Sequence, residues 1–139
     1  MQQRPGVTSP PPAHGREAIV VHRIYDPDDE PGHRVLVDRL WPRGLAKGDA
    51  ALDEWLKDVA PTTDLRRWYG HEPSRFAEFR NRYRDELEQP PASDAVHHLL
   101  GLQQRRLVLL TATRHIERSG ALVLCDHLAA TSSTASCSA

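Results

Sequence analysis

Apolar residues along the chain follow two kinds of pattern. Short β-branched or aliphatic runs stand at Ala18–Tyr25 (AIVVHRIY), Arg34–Asp38 (RVLVD) and Arg106–Thr111 (RLVLLT). These read as strands. The third is apolar without alternation, which suits a central strand covered on both faces. Helical spacing governs much of the rest. Thr62 and Thr63 stand where a cap belongs, Asp64 follows in the first turn, and Gly70 stops the helix after Tyr69. Phe76, Phe79, Tyr83 and Leu87 recur at helical spacing in the clearest helix, opened by Pro73-Ser74 and ended by Pro90-Pro91. Ser93 is placed to cap a helix carrying Val96, Leu99 and Leu100, and a last, largely apolar helix runs from about Ile116 to Ala130. Between Asp49 and Val59 the pattern fits a helix and a short strand alike. The sum is an α/β fold: a compact single domain with a small, largely parallel sheet flanked by helices.

Flanking composition sets the domain limits. Residues 1–16 are rich in Pro, Gly and Gln without periodicity and read as a disordered leader. Residues 131–139, TSSTASCSA, read as a flexible tail, leaving 17–130 as the ordered domain. No run approaches ~18 consecutive apolar residues, so no membrane span is expected. The leader lacks the apolar stretch of a secretory signal, and a cytoplasmic location follows as the expectation. Cys125 lies on an apolar stripe with Leu124 and Leu128, where an inert buried thiol is expected, and Cys137 falls in the tail. Two cysteines make neither a metal site nor a disulfide framework on their own.

Charge narrows the function classes. Eighteen basic against nineteen acidic residues give a net −1, which argues against a histone-like electrostatic binder. Locally the balance is uneven. Arg34 to Lys47 is basic and Asp49 to Asp58 is acidic. Within the basic stretch, Asp38-Arg39-Leu40-Trp41-Pro42-Arg43-Gly44 leaves the C-terminal end of a predicted strand, the edge where α/β sheets bind ligands. One reading is an anion pocket in which Arg39 and Arg43 hold a phosphate or carboxylate and Trp41 forms a wall. The other is an ion-pair network fastening this loop to Asp53–Asp58. Asp38 can orient an arginine, act as a base or bond loop amides. Thr111, Thr113, Arg114 and His115 follow another strand end, and in a parallel sheet they would meet the first loop. Ser119 can cap the last helix, whose N-terminus favours an anion. Trp68 is expected in the core, with Tyr69 and His71 at a rim.

Other chemistries have weaker support. His97 and His98 point to different faces of one helix, Cys125 and His127 are poorly spaced for chelation, and no metal is expected. No phosphate-binding glycine loop, dinucleotide fingerprint or nucleophile elbow occurs, so no cofactor is expected. Arg75, Arg80, Arg82 and Arg84 could line the Pro73–Glu88 helix against nucleic acid, but six basic and six acidic residues from Asp64 to Glu88 make a solvated, ion-paired surface the better reading.

Three stretches carry a resemblance: Val35–Gly44 (VLVDRLWPRG), Trp55–Pro61 (WLKDVAP) and Leu65–His71 (LRRWYGH). It continues through Phe76–Phe79, Tyr83 and Leu109–Arg114. The chain resembles the YeaO-like proteins, a bacterial family of compact α/β domains without an agreed substrate. The resemblance marks Asp38, Arg39, Trp41, Arg43, Gly44, Lys57, Asp58 and Arg114 as shared positions. Many members carry an Asn-His pair where this chain has Ser119-Gly120, so any acid–base role of that His does not transfer here. The expected partner is a small anionic ligand, held by Arg39, Trp41, Arg43, Gly44, Thr111, Thr113, Arg114 and His115, with Asp38 and Asp58 as candidate catalytic carboxylates. Any reaction would be hydrolysis or transfer on that anion. The alternatives are a nucleic-acid-binding or regulatory protein using the 73–88 helix, and an interaction protein whose charged cluster is structural.

Overall fold

The computed structural model describes residues 18–26, 31–102, 106–132 and 136–138. The expected leader, residues 1–16, lies outside the described residues. Strands β1 (Ala18–Arg23), β2 (His33–Leu36), β3 (Glu54–Trp55), β4 (Leu107–Thr111) and β5 (Ser136–Ser138) form one sheet in the order β3-β2-β4-β1-β5. Every neighbouring pair is parallel. Helices α1 (Thr63–Tyr69), α2 (Phe76–Leu87), α3 (Ala92–Gly101) and α4 (Gly120–Thr131) complete the α/β fold. No helix among the described residues is long and apolar enough to cross a membrane.

The unalternating run of β4 is explained by its place at the centre of the sheet, where all five residues are buried. On one face Ile19, Val21, Val35, Val37, Leu107 and Leu109 pack on the helices, chiefly through Phe79, Tyr83, Leu99, Val123, Leu124 and Leu128. On the other, Val20, Ile24, Leu36, Val108 and Leu110 are covered by Trp41, Leu45 and Leu52 from the irregular segment after β2 and by Trp55 of β3. That segment therefore has a structural task before any functional one.

Local signals place the helices. Thr62 Oγ1 accepts from Leu65 N–H at 3.2 Å and caps α1, and Gly70 ends it in the left-handed region at φ +53°. Ser119 Oγ caps α4 by accepting from Leu122 N–H at 3.1 Å. The ambiguous 49–59 stretch becomes the two-residue strand β3, followed by a single tight turn at Lys57–Val59.

Four expectations are corrected. The tail is not free throughout, because Ser136–Ser138 pairs with Ala18–Val20 as β5. Cys125 is not a free thiol, because its sulfur bonds that of Cys137. Composition made this segment look frayed, but a covalent tie to a buried helix overrides weak strand propensity. Ser93 caps nothing, since α3 starts one residue earlier and Ser93 N–H donates to Gln89 O. Finally, Tyr69 is the buried aromatic, stacked on Phe79 with ring centroids 4.2 Å apart, while Trp68 is half-exposed between Arg75 and Arg82.

Candidate functional site

Strands β2 and β4 are parallel neighbours, with Leu36 opposite Leu110, so the loops leaving them start at one edge of the sheet. Asp38 ties those loops together. Its carboxylate accepts from Thr111 Oγ1 at 2.8 Å and from Ala112 N–H at 2.7 Å. Thr111 Oγ1 accepts in turn from Thr113 N–H at 3.1 Å. Burial pushes the Asp38 carboxyl above its ordinary range, against the pull of these two hydrogen bonds and of nearby His71. Asp38 is thus the joint between two strand ends, with an acid group that holds its proton more tightly than an exposed one.

Arg39 also works on backbone. Its Nε donates to Pro61 O at 2.9 Å and its Nη2 to Ala60 O at 3.0 Å. The guanidinium clamps the segment entering α1 through carbonyls, where an ion pair with Asp53–Asp58 was the alternative. Trp41 donates from Nε1 to Leu45 O at 2.6 Å and meets Trp55 edge to face at 5.3 Å. Between them Gly44, at φ +79°, makes a turn that L side chains rarely adopt. Tyr25 OH donates to the neighbouring Arg43 carbonyl at 2.9 Å.

These groups surround a cavity of about 340 Å³. Its polar wall comprises Asp38, Arg39, Arg43, Arg66, His71, Thr113 and Arg118, and Ser119, the cap of α4, completes it with Gly120 and Ala121. Arg66 Nε is buried with no hydrogen-bond partner among the described residues. Tyr69 OH donates to Arg118 O at 2.7 Å, and burial raises its pKa against the opposing charge of Arg118. His71 sits in the left-handed region at φ +58°, an uncommon conformation for a residue with a side chain.

Of the residues singled out in the sequence, Asp38, Arg39, Trp41, Arg43 and Thr113 line this cavity. Thr111 and Gly44 are not part of the lining: Thr111 is buried and bonded to Asp38, and Gly44 makes the turn after Arg43. Arg114 and His115 are exposed and are not part of the lining, and His115 Nδ1 lies 3.5 Å from Glu117. Asp58 lines a second cavity, of about 520 Å³, with Asp85 and Glu86. The two candidate catalytic carboxylates therefore face different cavities, and Arg39 borders both. Arg66 went unnoticed in the sequence. The available signal was its i, i+3 relation to Tyr69 on a short helix with a firm cap.

The family model of the inactive DUF488-N3 subclade matches residues 18–138. The chain belongs to this subclade. It is 49% identical over 114 residues to the uncharacterized protein Rv3073c of Mycobacterium tuberculosis, covering 79% of this chain and 92% of that protein. It is 42% identical over 112 residues to the uncharacterized protein YeaO of Escherichia coli, covering 79% and 96%. No solved structure matches it. In this DUF488-N3i chain a Cβ at Gly120 would lie 3.2 Å from Pro61 Cγ and 3.6 Å from Phe79 Cζ. A side chain at Gly120 would therefore press on Pro61 and touch Phe79 at ordinary contact distance.

Proposed function

We propose that the protein binds a small anionic ligand, a phosphate ester or small carboxylate, in the cavity at the C-terminal edge of the sheet. The observation that carries this reading is the imbalance of the lining: Arg39, Arg43, Arg66 and Arg118 stand against one carboxylate, Asp38. Guanidinium groups take planar or tetrahedral oxyanions through paired N–H donors. The amides at the start of α4 add a favourable dipole. A cavity of about 340 Å³ is at the small end of ligand sites. The subclade's description as inactive favours holding the ligand over turning it over, as does the separation of Asp38 from Asp58.

A thermal-shift panel of inorganic phosphate, phosphate esters and small carboxylates tests this. A ligand at a hundred times its dissociation constant adds about 2.7 kcal/mol, several degrees of midpoint. Arg43 is exposed, so Arg43→Ala should abolish the shift and leave the midpoint of the unliganded protein unchanged. No shift with any anion, or an unaltered shift in Arg43→Ala, overturns the reading.

A further inference from the structure

We infer that the Cys125–Cys137 bond is a reducible strap that holds β5 on the sheet and releases it without unfolding the domain. The two ends of the strap are unequal. Cys125 is fully buried on α4, which the core holds independently through Val123, Leu124 and Leu128. Cys137 is partly exposed at the centre of a three-residue edge strand whose other members, Ser136 and Ser138, are exposed. Among the described residues, β5 pairs with β1 alone, over Ala18–Val20. Cys137 is also the one residue of β5 packed against the core. A strand this short has little ladder of its own to hold it.

Reduction by a dithiol balances as thiol–disulfide exchange. A reductant thiolate attacks Cys137 Sγ, the more accessible sulfur, and the S–S bond breaks. The electron pair leaves on Cys125 Sγ, which takes up a proton. The second reductant thiol then displaces Cys137 from the mixed disulfide, so the protein gains two thiols and the reductant becomes a cyclic disulfide. The freed Cys125 thiol has an acceptor in place, Ile19 O at 3.6 Å, so the core side needs no rearrangement. The tail side has no comparable anchor. Reduction therefore opens the β1 edge over Ala18–Val20, where an unpaired strand is a template for another chain.

The test uses the full chain purified without reductant. Alkylation in denaturant should find no free thiol before treatment with dithiothreitol and two after it. Hydrogen exchange should then quicken roughly tenfold or more in peptides covering 18–21 and 136–138, with 107–111 still the best-protected segment. Cys137→Ser should reproduce that exchange pattern without reductant. Two free thiols in the untreated protein, unchanged exchange at 18–21, or loss of protection across 107–111 on reduction would each overturn the strap.

Discussion

The sheet is bordered on its two sides by strands too short to hold themselves, and they are pinned in different ways. At one margin β3 has two residues, and its Glu54 carboxylate sits 2.7 Å from His33 Nε2 and 3.0 Å from His98 Nε2 on α3. At the other, β5 has three residues and is tied to α4 by a disulfide. Both pins join an edge strand to a helix on the covered face, which is how a small sheet limits fraying. The difference lies in what undoes them. Burial pushes the Glu54 carboxyl up, but the hydrogen bonds and charges of His33 and His98 outweigh it and leave the group below its ordinary value of 4.5. Acid loosens that margin, and thiols loosen the other.

Four experiments probe the contrast. Removing the disulfide by reduction or Cys137→Ser should have the largest effect. The cysteines are 12 apart in sequence, and closing such a loop is worth about 3 kcal/mol, on the order of 10 °C in midpoint. Glu54→Gln should cost about 1 kcal/mol in urea unfolding at pH 7, because the amide keeps one acceptor oxygen for two histidines and loses the charge. The pH profile gives the sign. A carboxyl with a lowered folded pKa contributes stability above its unfolded value that is lost as pH falls through the folded one. The acid limb below about pH 4.5 should therefore be shallower in Glu54→Gln than in the parent chain. Asp38 has the opposite sign. Its folded pKa is raised, so its contribution is present at low pH and lost as pH rises through that value. Asp38→Asn should remove this loss, which a stability titration from pH 3 to 8 would read as a flatter profile. The smallest effect is expected for His98→Ala, within about 0.5 kcal/mol, since His98 is 46% exposed and His33 retains its hold on Glu54. An effect equal to that of Glu54→Gln would make His98 the true pin.

Much of this architecture is legible in the residues. The unbroken apolar run at Leu107–Thr111 placed a central strand, and Thr62 with Gly70 bounded α1 closely. The meeting of Asp38 with Thr111 followed once both were placed at parallel strand ends. Other features depend on distances that no local pattern carries. Helical period in seven residues does not say whether Trp68 or Tyr69 turns inward. Stacking on Phe79 decides for Tyr69. His33, Glu54 and His98 come from three separate elements and have no spacing signature. The disulfide was hidden because Cys137 reaches Cys125 only after its strand has docked beside β1. The resemblance groups Asp58 with Asp38 as a candidate catalytic carboxylate, yet it stands in the turn at Lys57–Val59 and lines the other cavity.

The pairing order of the sheet bears on how the chain is made. β1 emerges first from the ribosome, but among the described residues its strand partners are β4 and β5. Ile19 waits for Leu107, about ninety residues later, which at bacterial elongation rates is roughly 5–15 s. Until then an Ile- and Val-rich segment has neither of its neighbours. β2 is in the same position toward β4, so the central strand arrives after the strands it must join. Nascent chains stopped before Leu107 should lack the native sheet and need shielding from one another, and the domain should close in a late, concerted step when β4 inserts between β1 and β2.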